Sequence, residues 1–182
     1  VNLDNIPLTA FNAPTAGTGK SLLVDVIGVV SNGKPVSVLA QGKDEAEMEK
    51  RLHSAILRGD ALINIDNIEQ PLGGDVLCQI LTQPVLRIRP LGVSKLLDVE
   101  KSCQIVATGN NLELSGDVVR RSLVCNLDAR VERPELRTFK YDARERALDR
   151  RHDIVAHLLS IIRSYMLHGA GEGPSALGSF ER

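Results

Sequence analysis

Lys20 and Ser21 stand directly behind a glycine in the stretch APTAGTGKSLL (13–23). A lysine and a hydroxyl so placed could hold the phosphates of a nucleotide together with a magnesium ion. In a loop of this kind successive backbone N–H groups point inward at the β- and γ-phosphates, and the following helix offers its positive end. Thr15, Ala16, Gly17, Thr18 and Gly19 would supply those amides, and the two glycines permit the dihedrals and the close approach of oxygen. Lys20 would neutralise charge on the β/γ oxygens, and Ser21 would give its hydroxyl to Mg²⁺. The pattern G-x-x-x-x-G-K-[ST] is complete from its second glycine onward, with Pro14 where the first belongs. Proline donates no N–H, but the first position chiefly shapes the turn. The competing explanation is a glycine turn that caps a helix beside an incidental Gly-Lys-Ser.

A magnesium site needs a second piece, an acid at the end of a buried strand. LINIDN (62–67) supplies Asp66. Many hydrolysing ATPases place a glutamate next, to polarise the attacking water; here it is Asn67, whose amide can orient water but cannot accept its proton. A third piece is a polar group at the tip of the strand lying between loop and acid. IVATGNN (105–111) offers Thr108, Asn110 and Asn111, and the Thr-x-Asn spacing favours Asn110 for contact with the γ-phosphate. A fourth is GDVVRRSL (116–123), where Arg120 or Arg121 could reach a neighbouring subunit's γ-phosphate and stabilise charge developing there.

These residues require strands before the loop and before the acid. PLTAFNA (7–13) reads as a short buried strand, and KSLLVDVIGVVSNG carries apolar residues at helical spacing up to an Asn-Gly stop. PVSVLA (35–40) predicts a strand, 44–58 a helix with acidic front, basic back and Gly59 as cap, and 61–66 a buried strand. A short helix follows in GDVLCQILTQ, then strands at 103–111 and 122–128. From 143 to 168 the periodicity predicts one long amphipathic helix, with Ile154, Val155, Leu158, Ile161, Ile162 and Tyr165 on one side. Strands alternating with helices predict an α/β fold: a P-loop NTPase-type three-layer αβα sandwich on a mostly parallel sheet, plus a C-terminal helix.

With 182 residues, 43% apolar and 25% charged, the chain has the size and composition of one globular domain, expected over 1–170, with a loose tail at 171–182. A net charge of −1 gives no domain-wide attraction for nucleic acid, so any such contact must use a local patch. No apolar run approaches the roughly 20 residues of a membrane span, and a cytoplasmic protein is expected. Cys78, Cys103 and Cys125 form no C-x-x-C pair and are expected to be reduced and buried. The four histidines show no ligand spacing, and helix surface is expected for each. The abrupt ends point to a piece of a longer protein.

With the four pieces in this order, the chain resembles the AAA+ and superfamily 3 helicase-like P-loop ATPases. The likeness is greater still to the ATPase domains found behind primase modules in phages, plasmids and integrated elements. The residues that carry it are APTAGTGKS, LINIDN, RPLGVSK, IVATGNNLELSGDVVRRSLVCNLDA and ERPELRTF, spread from about 7 to 170. The resemblance implies a DNA-stimulated ATPase using ATP and Mg²⁺, assembled as a homo-oligomeric ring such as a hexamer, that unwinds or translocates along DNA. It makes Lys20 and Ser21 the phosphate and magnesium residues, Asp66 the metal-ordering acid, Asn110 the sensor and Arg120 or Arg121 the finger. It also implies a DNA-touching hairpin before the sensor strand, for which VLRIRPLGVSKLLDV (85–99) offers Arg87, Arg89 and Lys95. The same hairpin could simply pack across the domain. Asn67 keeps a second function class open: a nucleotide-dependent assembly switch with little hydrolysis. A small-molecule kinase is disfavoured, because no segment has the placement of an arginine-bearing lid.

Overall fold

The computed structural model describes residues 6–169. The order of elements is β1 (Leu8–Ala13), α1 (Lys20–Asn32), β2 (Val38–Ala40), α2 (Glu45–Leu57), β3 (Leu62–Ile68), α3 (Asp75–Thr82), β4 (Val85–Ile88), β5 (Leu97–Glu100), β6 (Gln104–Asn110), β7 (Ser122–Asn126), α4 (Ala143–Asp149) and α5 (Arg151–His168). Two 3-10 turns, Gly116–Arg121 and Pro134–Leu136, complete the path. The tail expected over 171–182 lies outside the described residues.

Five strands form one parallel sheet in the order β2-β3-β6-β1-β7. β6 is thus inserted between β1 and β3, and its end emerges between the loop after β1 and the end of β3. In open sheets of this kind, ligands bind beyond the carboxyl ends of the strands. The fold is therefore the α/β, P-loop NTPase-like arrangement that the alternation of elements predicts.

Side-chain alternation decides which residues meet. On β3 and β6 the odd positions Ile63, Ile65, Ile105 and Ala107 face α2, α3 and the β4–β5 hairpin, in a core with Leu52, Leu77, Ile80 and Ile88. The even positions Leu62 and Val106 join Phe11 and Val24 beneath α1. Asp66, Thr108 and Asn110 continue those even rows toward the start of α1. A register shift between Ile65 and Ile68 bends β3 at that point.

α1 ends at Gly33, whose φ of 75° supplies the left-handed cap. The guanidinium of Arg151 then donates to the carbonyls of Val29 and Val30 at 3.0 Å and of Ser31 at 3.1 Å, satisfying the helix's last carbonyls. That contact explains one departure from expectation. The single helix predicted over 143–168 is broken at Arg150 (φ −101°, ψ 12°), which lets α4 and α5 each lie against α1. Asp142 caps α4, and Arg144 pairs with Asp25 of α1 at 3.2 Å. The apolar side of α5 meets α1 only near its start; none of its residues is buried, and Ile161, Ile162 and Tyr165 are exposed.

Strand ends also move: β2 is confined to 38–40, while β3 runs on to Ile68. The cysteines are all free, but only Cys103 is buried. Cys78 is half-buried, and Cys125 is exposed because β7 is an edge strand. Among the described residues no helix is long and apolar enough to cross a membrane.

Candidate functional site

The loop from Pro14 to Gly19 joins β1 directly to α1. Gly17 (φ 73°) and Gly19 (φ 100°) both take left-handed conformations that side-chain-bearing residues rarely adopt. Gly19 is the N-cap of α1, and no side chain caps that terminus. The N-terminal amides and the positive end of the helix dipole are therefore presented at the mouth of the loop, an arrangement suited to an anion.

Lys20 is buried, with 9% of its surface exposed. Its ammonium donates to Asn110 Oδ1 at 2.7 Å, Thr18 Oγ1 at 3.2 Å and the Thr15 carbonyl at 3.4 Å. Burial pushes the ammonium down from the ordinary lysine range, and the negative charge of Asp66 acts against that. A further anion beside Nζ would reinforce the charged form.

Ser21 Oγ donates to Asp66 Oδ1 at 3.2 Å, and Thr108 Oγ1 donates to the same carboxylate oxygen. Lys20, Ser21, Asp66 and Asn110 are thus brought together from the loop, β3 and β6. Thr108, which shares a β6 face with Asn110, joins them; its place two residues earlier was the signal for it. Asn12 secures the neighbouring strand ends: it donates to Asn126 Oδ1 at 2.9 Å and accepts from the Leu112 N–H at 2.8 Å.

Asn67 does not join this group. Its backbone is left-handed (φ 55°), a conformation asparagine tolerates, and its side chain donates to Glu69 Oε1 at 3.0 Å. Arg120 and Arg121 are both turned to Asp117. Arg120 donates through Nε at 2.9 Å and Nη2 at 2.6 Å, and Arg121 through Nη1 at 2.6 Å. Hydrogen bonds from Arg120 and then Arg121 hold the Asp117 carboxyl far below the usual carboxylate range. The i,i+3 and i,i+4 spacing within GDVVRR carried this pairing in the sequence.

β4 and β5 form an antiparallel hairpin whose tip turns at Pro90-Leu91-Gly92. The hairpin packs across the domain through Leu86 and Ile88, which are buried in the core, while Arg87, Arg89 and Lys95 are exposed. Arg87 pairs across the strands with Asp98 at 2.9 Å, and Arg89 donates to the Val93 carbonyl at 3.1 Å.

The sheet order, the glycine loop at the head of α1 and the Ser21–Asp66 contact define an α/β domain of the P-loop NTPase-like class. No protein-family model and no curated protein sequence matches the chain. Among solved structures, the chain is similar to the A-form apo structure of the NrS-1 C-terminal region, with a TM-score of 0.58 and 18% identity over 83% of this chain. A second apo structure of that region gives 0.52 and 15% identity over 82%. The chain spans about a third of the length of both, 36% and 35%. A JCV helicase structure is more distant, with a TM-score of 0.45 and 11% identity over 91% of this chain and 57% of that one. At these identities the likeness is one of fold.

Proposed function

We propose that this chain is the ATP-binding and ATP-hydrolysing motor domain of a DNA helicase or primase-associated ATPase of the superfamily 3 type, from a phage or other mobile element. The observation that carries the proposal is the convergence of Lys20, Ser21, Asp66 and Asn110 at the ends of adjacent strands. That convergence supports the reading over an incidental glycine turn, which has no reason to face an acid.

The residues fit ATP and Mg²⁺. Ser21 and Asp66 are a pair of hard oxygen donors, the type magnesium takes when it is also held by phosphates and water. The bound ion would supply charge neutralisation across the β- and γ-phosphates. Lys20 neutralises phosphate charge from the other side, and the amides of residues 15–19 donate to the phosphate oxygens. Asn110, now bonded to the Lys20 ammonium, exchanges that partner for the γ-phosphate and so reports its presence. Arg120 or Arg121 leaves Asp117 to enter a neighbouring subunit's site in a ring. The exposed basic face of the hairpin meets DNA.

The test is ATP turnover by the full-length protein with and without single-stranded DNA. Turnover stimulated by DNA is expected, and none under either condition would overturn the motor. One observation favours a second reading: Asn67 is occupied with Glu69 and offers no base beside Asp66. On that reading the domain is a nucleotide-dependent assembly switch, with tight binding and ATP-dependent oligomers but little hydrolysis.

A further inference from the structure

The segment ERPELRTF (132–139) returns to the phosphate loop from more than a hundred residues away. Its 3-10 turn, Pro134–Leu136, lies against the loop so closely that a Cβ added to Gly17 would fall 2.9 Å from the backbone nitrogen and Cβ of Glu135. The next residue, Arg137, sends Nη2 to the Thr18 carbonyl at 3.1 Å and to the Gly17 carbonyl at 3.4 Å. Its Nε donates to the Pro134 carbonyl at 3.1 Å, and the Phe139 ring stands 5.3 Å from its Cζ. The guanidinium is therefore fixed in orientation from its own segment while it grips the loop.

A trans peptide points its C=O and N–H in opposite directions, and no peptide among the described residues is cis. Holding the Gly17 and Thr18 carbonyls toward Arg137 therefore turns the N–H groups of Thr18 and Gly19 to the other side of the loop. A cation on the carbonyl also polarises the peptide group and strengthens its N–H as a donor. We infer that Arg137 is a positioning residue for phosphate binding: it fixes and polarises the loop peptides from behind, so that the Thr18 and Gly19 amides face the nucleotide as preformed donors. This inference rests on the proposed nucleotide site. It assigns Arg137 no contact with the nucleotide.

The test is calorimetric titration of Mg-ATP into wild-type protein and the variants Arg137→Ala, Arg137→Gln, Arg137→Lys and Lys20→Ala, with melting curves and amide ¹H–¹⁵N spectra of each. Arg137 is half-buried and outside the hydrophobic core, so its variants are expected to melt near the wild type. Losing charge-assisted bonds to the loop should weaken Mg-ATP binding about 10- to 100-fold in Arg137→Ala, with partial recovery in Arg137→Lys. The Thr18 and Gly19 amide resonances of the free protein should move in Arg137→Ala. If Lys20→Ala loses ATP while Arg137→Ala and Arg137→Gln bind like the wild type, the inference is wrong and the nucleotide site stands. If the wild type binds no ATP, both fall. If Arg137 variants lose binding only in proportion to lost folded protein, or Arg137→Lys recovers nothing, the role is structural and the inference is overturned.

Discussion

Ser21 and Asp66 lie 45 residues apart in the chain, and their side chains meet at 3.2 Å where α1 begins and β3 ends. The meeting follows from strand alternation: Asp66 shares a face with Leu62 beneath α1, so its carboxylate emerges beside the first turn of that helix. Thr108 donates to the same oxygen and fixes its direction.

If this pair takes up magnesium, Asp66→Asn should weaken Mg-ATP binding by about 10- to 100-fold, the scale of one charged contact. Binding of ATP in excess chelator should hold or rise, because a carboxylate near the phosphates has been removed. Calorimetry with and without chelator separates the cases, and equal losses in both would count against a metal role for Asp66.

Position 67 tests the motor against the switch. Asn67 sits in a left-handed conformation and bonds Glu69. A glutamate there would cost about 1 kcal/mol in backbone strain and should alter steady-state turnover by no more than about twofold, since the side chain at 67 is bonded to Glu69 and not to Lys20, Ser21 or Asp66. A gain beyond tenfold would mean that wild-type hydrolysis is limited by the absent carboxylate, and the switch would be preferred.

Asp117 governs the arginines. Its carboxyl is held far below the usual range by Arg120 and Arg121. A depressed carboxylate contributes stability that is present above its unfolded pKa of about 3.9 and is lost as pH falls toward the folded value. The melting-temperature difference between wild type and Asp117→Asn should therefore stay level from about pH 7 to pH 5 and shrink below about pH 4. Mild acid does not free the arginines; a competing anion must. If one of them is the finger, Arg120→Ala or Arg121→Ala, but not both, should lower turnover of the assembled protein by about 10³-fold or more. Equal, small effects in both would remove the finger from the account.

On the hairpin, Arg87 is already paired with Asp98, whereas the Arg89 and Lys95 side chains flank the exposed tip. Arg87→Ala should therefore weaken single-stranded DNA binding less than the double change Arg89→Ala/Lys95→Ala. The double variant should also flatten the dependence of affinity on salt, measured by fluorescence anisotropy, and leave Mg-ATP binding unchanged. An unaltered salt slope would place DNA elsewhere.

Much of this site was legible in the sequence because each piece closes a strand. Gly17, Gly19 and Lys20 follow β1, Asp66 lies near the end of β3, and Asn110 ends β6; local patterning locates these strands, though their ends move by a few residues. The grip of Arg137 on the loop was not legible, since a contact between residues 119 and 120 positions apart is set by how the chain returns after β7. Nor was the break at Arg150, where apolar periodicity continues but docking onto α1 demands a bend. The exposure of Cys125 belongs to the same kind: an apolar neighbourhood reads as buried until sheet order puts β7 at an edge. The pairing of Asp117 with both arginines is local, at the i,i+3 and i,i+4 spacings within GDVVRR.

The central claim is that the loop around Lys20 holds a nucleoside triphosphate, and calorimetric titration of Mg-ATP into wild-type protein and Lys20→Ala measures it directly. Lys20 is a buried residue whose ammonium would meet the phosphates largely out of water, so the variant should lose several kcal/mol of binding, which places its affinity beyond detection. Equal affinity in the two proteins would contradict the claim.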